Sequence, residues 1–157
     1  MDEKQATTFY ELMQQYLVFY KEFLEFEKTK LEDVTNNRID LIDDHVKKEE
    51  VFLLRSKGFE VKRESFLKEL GLDDLTMSEI IEKTPEGSKE KLSLLFSELS
   101  EVLLDLKEIN SRCNSMIELR LHRIEKTINQ LDENQQKQYN DSAKKSKNRS
   151  DFISRKV

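Results

Sequence analysis

The chain has 157 residues, enough for one domain with a real core, and its three Gly, one Pro and no Trp argue against an all-β fold. Charged residues make up 38% and hydrophobic ones only 36%, a balance that suits helices which bury one stripe and wet the rest. The net charge of −5 is unevenly placed, because residues 132–157 carry seven Lys/Arg against four Asp/Glu and leave an acidic body that would repel phosphate, so nucleic acid is not an expected partner.

The opening MDEKQATTF is polar and acidic, so no secretory leader is expected. The longest apolar run, Tyr16–Tyr20, is far short of a membrane span, and no membrane insertion is expected. One Cys allows neither an internal disulfide nor a Cys-based metal site. A cytoplasmic location is the expectation.

In chain order, Phe9, Leu12, Tyr16, Phe19, Phe23 and Phe26 step by three and four, the seam of an amphipathic helix. Leu17, Leu24 and Leu31 widen it. The spacing predicts a helix over about 7–34, stopped by Asn36-Asn37. A second helix is predicted over 39–70. Ile39, Val46, Leu53 and Leu67 fall there at sevenfold spacing, with Phe52, Phe59 and Phe66 on the adjacent position. Gly71 is placed to end it in a left-handed conformation, with Leu72 as the apolar contact of a Schellman stop. Thr76-Met77-Ser78-Glu79 reads as a capping box opening a short helix over 77–83. Thr84 and Pro85 read as N-cap and first residue of a long helix over 85–135.

In that last helix Leu92, Leu95, Leu99, Val102, Leu106, Ile109 and Cys113 alternate in steps of three and four. Ile117 and Leu121 then each follow after four, a stutter, before Ile124, Ile128 and Leu131 resume. The long helix therefore carries two offset seams. At about 1.5 Å per residue it outruns two roughly 30-residue helices packed as a hairpin. The second seam, Ile117 to Leu131, is then left without an intramolecular partner, which marks a partner site or a self-association site. The expected fold is all-α: long antiparallel helices in a coiled-coil-like bundle over 1–135, with a short connecting helix and a flexible basic C-terminal tail over 136–157.

Catalytic constellations are missing. His45 and His122 each have a Glu four residues away, not the Glu-x-x-His spacing of a bundle metal site, and both read as surface residues. Cys113 reads as a buried structural thiol. Asp43-Asp44 and Glu49-Glu50 read as solvated faces. The chain is not expected to be an enzyme or to need a cofactor. In the tail, Phe152 and Ile153 stand as an apolar pair in a polar, basic stretch. They read either as a short docking element on a tether or as incidental residues of a frayed end.

The second helix ends KELGLDDLTMSEIIEKTP, the long helix carries LLFSELSEVLLDLKEINSRCNSMIELRL, and a tail with one Tyr ends FISRKV. This order of parts resembles the FlgN family of flagellar export chaperones over nearly the whole chain. The most specific parts are Leu-Gly-Leu before the Thr-x-Ser-Glu-Ile helix start, the pattern through Leu106, Asn110 and Asn114, and the Arg-Lys-Val ending. The resemblance implies a cytoplasmic chaperone that holds the C-terminal region of hook-filament junction proteins, FlgK and FlgL. It would prevent their premature assembly and hand them to the flagellar export gate. By matching position, Leu121, Ile124, Ile128 and Leu131 would contribute to the substrate surface; Ile117, at the head of the row, reads either as part of it or as an ordinary core residue. Tyr139 matches the region the family uses at the export gate, although the family tail often has a Gly soon after its Tyr and this one reads Tyr-Asn-Asp-Ser. Phe152 and Ile153 would dock on the substrate, the gate or the empty seam. A monomer or weak homodimer is expected of a chaperone. The competing reading is a structural coiled-coil scaffold that self-associates through the same seams.

Overall fold

A computed structural model describes the backbone of residues 1–155 and the side chains of residues 1–145. Four α-helices follow in order: α1 (Glu3–Thr35), α2 (Ile42–Glu69), α3 (Met77–Glu82) and α4 (Glu86–Arg155), with a 3₁₀ turn at Ile39–Leu41 before α2. The described chain is all-α, with no strand among the described residues. It divides into two compact units, 1–114 and 115–157.

The first unit holds α1, α2, α3 and the first part of α4. α1 starts earlier than its apolar period suggests. Asp2 accepts from the Gln5 amide at 2.7 Å, and Gln5 Oε1 accepts from the Asp2 amide at 2.8 Å. That reciprocal cap satisfies two of the donors a helix start leaves orphaned. Its signal, Asp-x-x-Gln, stands in the sequence. At the other end Asn37 takes φ 63°, a conformation Asn tolerates better than most residues. The chain then turns back.

α1 and α2 pair as an antiparallel hairpin, since their contacts join residues whose numbers sum to nearly the same value. Phe9 stacks on Phe66, Tyr16 meets Phe59 edge-on, the Tyr20 hydroxyl lies 2.6 Å from Ser56 Oγ, and Asp33 bonds His45. α4 runs the other way relative to α2. Its Ser88 hydroxyl donates to Glu3 and its Glu98 accepts from Lys21, so residue numbers rise together along α1 and α4. α1 contributes to one core with both neighbours: Phe9, Met13, Tyr16, Leu17, Phe19, Phe23 and Leu24 pack with Leu67, Leu72, Ile80 and with Leu92, Leu95, Leu99, Val102 and Leu106. Each buried Phe or Leu there contributes on the order of 2 kcal/mol. Cys113 is fully buried.

The stop of α2 is a complete Schellman motif. The Leu72 amide donates to the Leu67 carbonyl at 2.9 Å and the Gly71 amide to that of Lys68 at 3.0 Å, with Gly71 at φ 66° and Leu72 buried. Thr76 and Glu79 form the expected capping box. The two hydrogen bonds from Thr76 hold the Glu79 carboxyl below its ordinary value.

Four expectations change. Along α2 the Phe52–Phe59–Phe66 row faces α1, while Val46 and Leu53, like Ile39 in the turn before the helix, are exposed, and only Leu67 of the sevenfold row is buried. A seven-residue repeat drifts about 20° per heptad on a straight helix, and a helix covered on one side can bury only one such row. Thr84 does not cap α4; its buried hydroxyl donates back to the Ile80 carbonyl at 2.9 Å. α4 does not stop near Gln135 but keeps a helical backbone to Arg155. Residues 136–155 contain neither Gly nor Pro, so no breaker ends the helix.

The fourth change is electrostatic. His45 and Glu49 are not solvated. His45 is buried, its Nε2 is 2.7 Å from Asp33 Oδ2, and its ring meets Phe26 edge-on. Lys30 donates to Glu49 at 2.7 Å and to Glu27 at 3.3 Å, with Lys30 4% and Glu27 0% exposed. Burial raises the Glu27 carboxyl above its ordinary value, against the pull of Lys30. Burial also works to lower Lys30, but the bond to Glu49 and the two carboxylate charges outweigh it and hold the ammonium above its ordinary value. Burial raises the Cys113 thiol as well, which keeps it an unreactive thiol.

Candidate functional site

The second unit begins just after Cys113, the last buried residue of α4 among those described. Asn114 donates to Asn110 at 2.9 Å along the helix, so this polar stretch satisfies itself locally. From 121 to 145 every residue is exposed. The helix there rests on its own backbone bonds and on residues of fair helix propensity rather than on burial.

Ile117, Leu121, Ile124, Ile128 and Leu131 step by four, three, four and three. At 100° per residue they share one face of the helix, about 21 Å long. Ile117 is half-buried. Leu121 is 54%, Ile124 44%, Ile128 50% and Leu131 56% exposed. Isolated exposed Leu or Ile residues are ordinary on protein surfaces, but a continuous row at seam spacing is not.

Tyr139, 77% exposed, stands eleven residues after Ile128, three turns on and only about 20° off that line. Gln135 fills the gap between Leu131 and Tyr139. The helix thus brings Tyr139 onto the same face as the apolar row, a relation visible only once α4 is known to continue past 135. Phe152 and Ile153 lie outside the residues whose side chains are described. His122 is exposed, as expected.

The row also has two unlike edges. Glu118, Glu125 and Asp132 recur every seven residues along one side, all exposed. The other edge carries Arg120, Thr127, Asn134 and Gln138. This acidic rail was missed by hydrophobic spacing, yet its sevenfold repeat was there to find. An amphipathic helix laid into such a face would bury its apolar residues on Leu121–Leu131 and set basic side chains against the rail.

Among the described residues no group of three His, Cys, Asp or Glu could hold a metal ion, and no described helix is long and apolar enough to cross a membrane. Searches of curated proteins and of solved structures find no match. A family model, described as FlgN protein, matches residues 1–147, which takes in the hairpin, the Schellman stop, the capping box, the apolar row and Tyr139. The chain belongs to the FlgN family of flagellar export chaperones.

Proposed function

We propose that this chaperone works in the cytoplasm and carries hook-filament junction proteins of the FlgK and FlgL type. It holds their C-terminal region on the face formed by Ile117, Leu121, Ile124, Ile128 and Leu131. The observation that supports this is the exposed apolar row at helical seam spacing beyond residue 117. A client segment that folds into an amphipathic helix on that face offsets part of its binding energy with ordering entropy, so affinity stays moderate and release needs no ATP. The acidic rail selects a client helix with Lys or Arg along one flank. Tyr139, on the same face, is the contact for the export gate, so the gate can sense whether the row is covered. Phe152 and Ile153 form a short docking element for client or gate.

The test is size-exclusion chromatography with light scattering, on the chain alone and with the C-terminal segment of a FlgK-type protein from the same source. A stoichiometric complex, lost in an Ile124→Asp/Ile128→Asp variant, supports the reading. A stable homo-oligomer that ignores the segment would replace it with the scaffold. Deletion of residues 150–157 with no change in client or gate binding removes the role of Phe152 and Ile153.

A further inference from the structure

The exposed face of α2 has a symmetry of its own. At 100° per residue Val46, Glu50, Leu53, Leu54, Lys57 and Val61 lie within about 50° of one line along the helix. All six are exposed, with Val46 44%, Leu53 53%, Leu54 72% and Val61 60% exposed. Neither Glu50 nor Lys57 forms an ion pair with another described residue. Read from the midpoint between Leu53 and Leu54, the line is the same in both directions in chemical type. Leu is followed by a charge and then by Val on each side, and the two charges are opposite, Glu50 toward the N-terminus and Lys57 toward the C-terminus.

We propose that α2 docks against the α2 of a second copy of this chain, antiparallel, about a two-fold axis between Leu53 and Leu54. A two-fold axis makes every contact twice. Leu53 and Leu54 meet their own counterparts at the centre. Glu50 faces Lys57 of the second copy, and Lys57 faces its Glu50. Val46 and Val61 close the two ends. Charge complementarity argues for this occupant, because a parallel partner or a one-residue slip would set Glu50 against Glu50 or lose both pairs. The next turn limits the surface: Asp43 would face Glu64 of the second copy, a like-charge meeting. The interface is one helix wide and about 22 Å long, so it belongs with small, transient associations rather than obligate dimers. It uses the first unit alone and is independent of the client reading.

The full chain, 18.7 kDa as a monomer, is run by sedimentation equilibrium from about 10 μM to about 1 mM, the range in which weak pairs form. The wild type should rise toward twice the monomer mass. Glu50→Lys and Lys57→Glu, each creating two like-charge contacts, should each weaken dimerisation about tenfold or more. The double swap Glu50→Lys/Lys57→Glu should restore it. Both positions are exposed, and far-UV circular dichroism should show unchanged helix in each variant. Ile124→Asp/Ile128→Asp should leave self-association as it is. A wild type that stays monomeric, single variants that dimerise normally, a double swap that fails to recover, or loss of dimer on changing Ile124 and Ile128 would each overturn the proposal.

Discussion

Lys30 on α1 donates a 2.7 Å hydrogen bond to Glu49 on α2, and nearly all of the lysine side chain is buried. The pair joins the two arms of the hairpin at the end away from the Schellman stop. A buried ion pair is seldom a net gain over apolar packing, but removing one member strands the other. Lys30→Met should therefore destabilise the fold by about 3 kcal/mol, because Glu27 and Glu49 are left facing each other without a cation. Urea denaturation at pH 7 measures it. A loss well under 1 kcal/mol would mean that water reaches the carboxylates.

Acid should reveal Glu27. Its carboxyl is raised above the ordinary 4.5 by burial, so the folded state holds its proton more tightly than the unfolded state. Folding gains from this group as pH falls through the raised value toward 4.5, which offsets part of the loss from carboxyls such as Glu79, whose contribution is present above 4.5 and disappears as pH falls. In Glu27→Gln the offset is gone, and stability should drop more steeply between neutral pH and the carboxylate range. Urea midpoints of both proteins across that range check the slope. Lys30 acts at the opposite limit: its raised pKa gives stability present below 10.5 and lost as pH rises through the folded value.

Gly71 sits at φ 66° with open space where a Cβ would stand. Gly71→Ala should cost about 1 kcal/mol from backbone conformation alone, without any clash. The thermal midpoint of Gly71→Ala should fall by a few degrees.

The exposed row should separate stability from binding. Leu121→Asp changes a side chain already 54% exposed, so the melting temperature should hold within a degree or two, while client affinity should fall about tenfold or more. Glu125→Lys, on the acidic rail, should weaken client binding less and make it less sensitive to salt. Titration calorimetry at low and high salt distinguishes the two effects.

Much of this was legible in the residues. The Gly71 stop, the Thr76–Glu79 box, the core row from Leu92 to Leu106 and the uncovered row after Ile117 all follow from local rules of period and capping. The rest depended on contacts between elements. Two parallel apolar rows on α2 look equally good in sequence, and only the arrival of Tyr16, Phe19 and Phe23 decides that Phe52 and Phe59 turn inward while Val46 and Leu53 stay wet. Lys30 and Glu49 look like two more charges in a charged chain until the hairpin brings them together. Polar composition alone marks residues after 135 as a tail, whereas without Gly or Pro there the helix runs on and carries Tyr139 with it.

The order in which α1 finds its partners has a consequence for synthesis. Its contacts with α2, such as Phe9 on Phe66 and Tyr20 with Ser56, close within the first 69 residues. Its contacts with α4, such as Lys21 with Glu98, wait for residues made later. Until α4 is made, Met13, Leu17 and Leu24 lack the α4 leucines with which they share a core. For that interval the nascent chaperone itself presents an unprotected greasy flank, and the charges at 86–91 that lead α4 out of the exit tunnel arrive before the leucines that cover it.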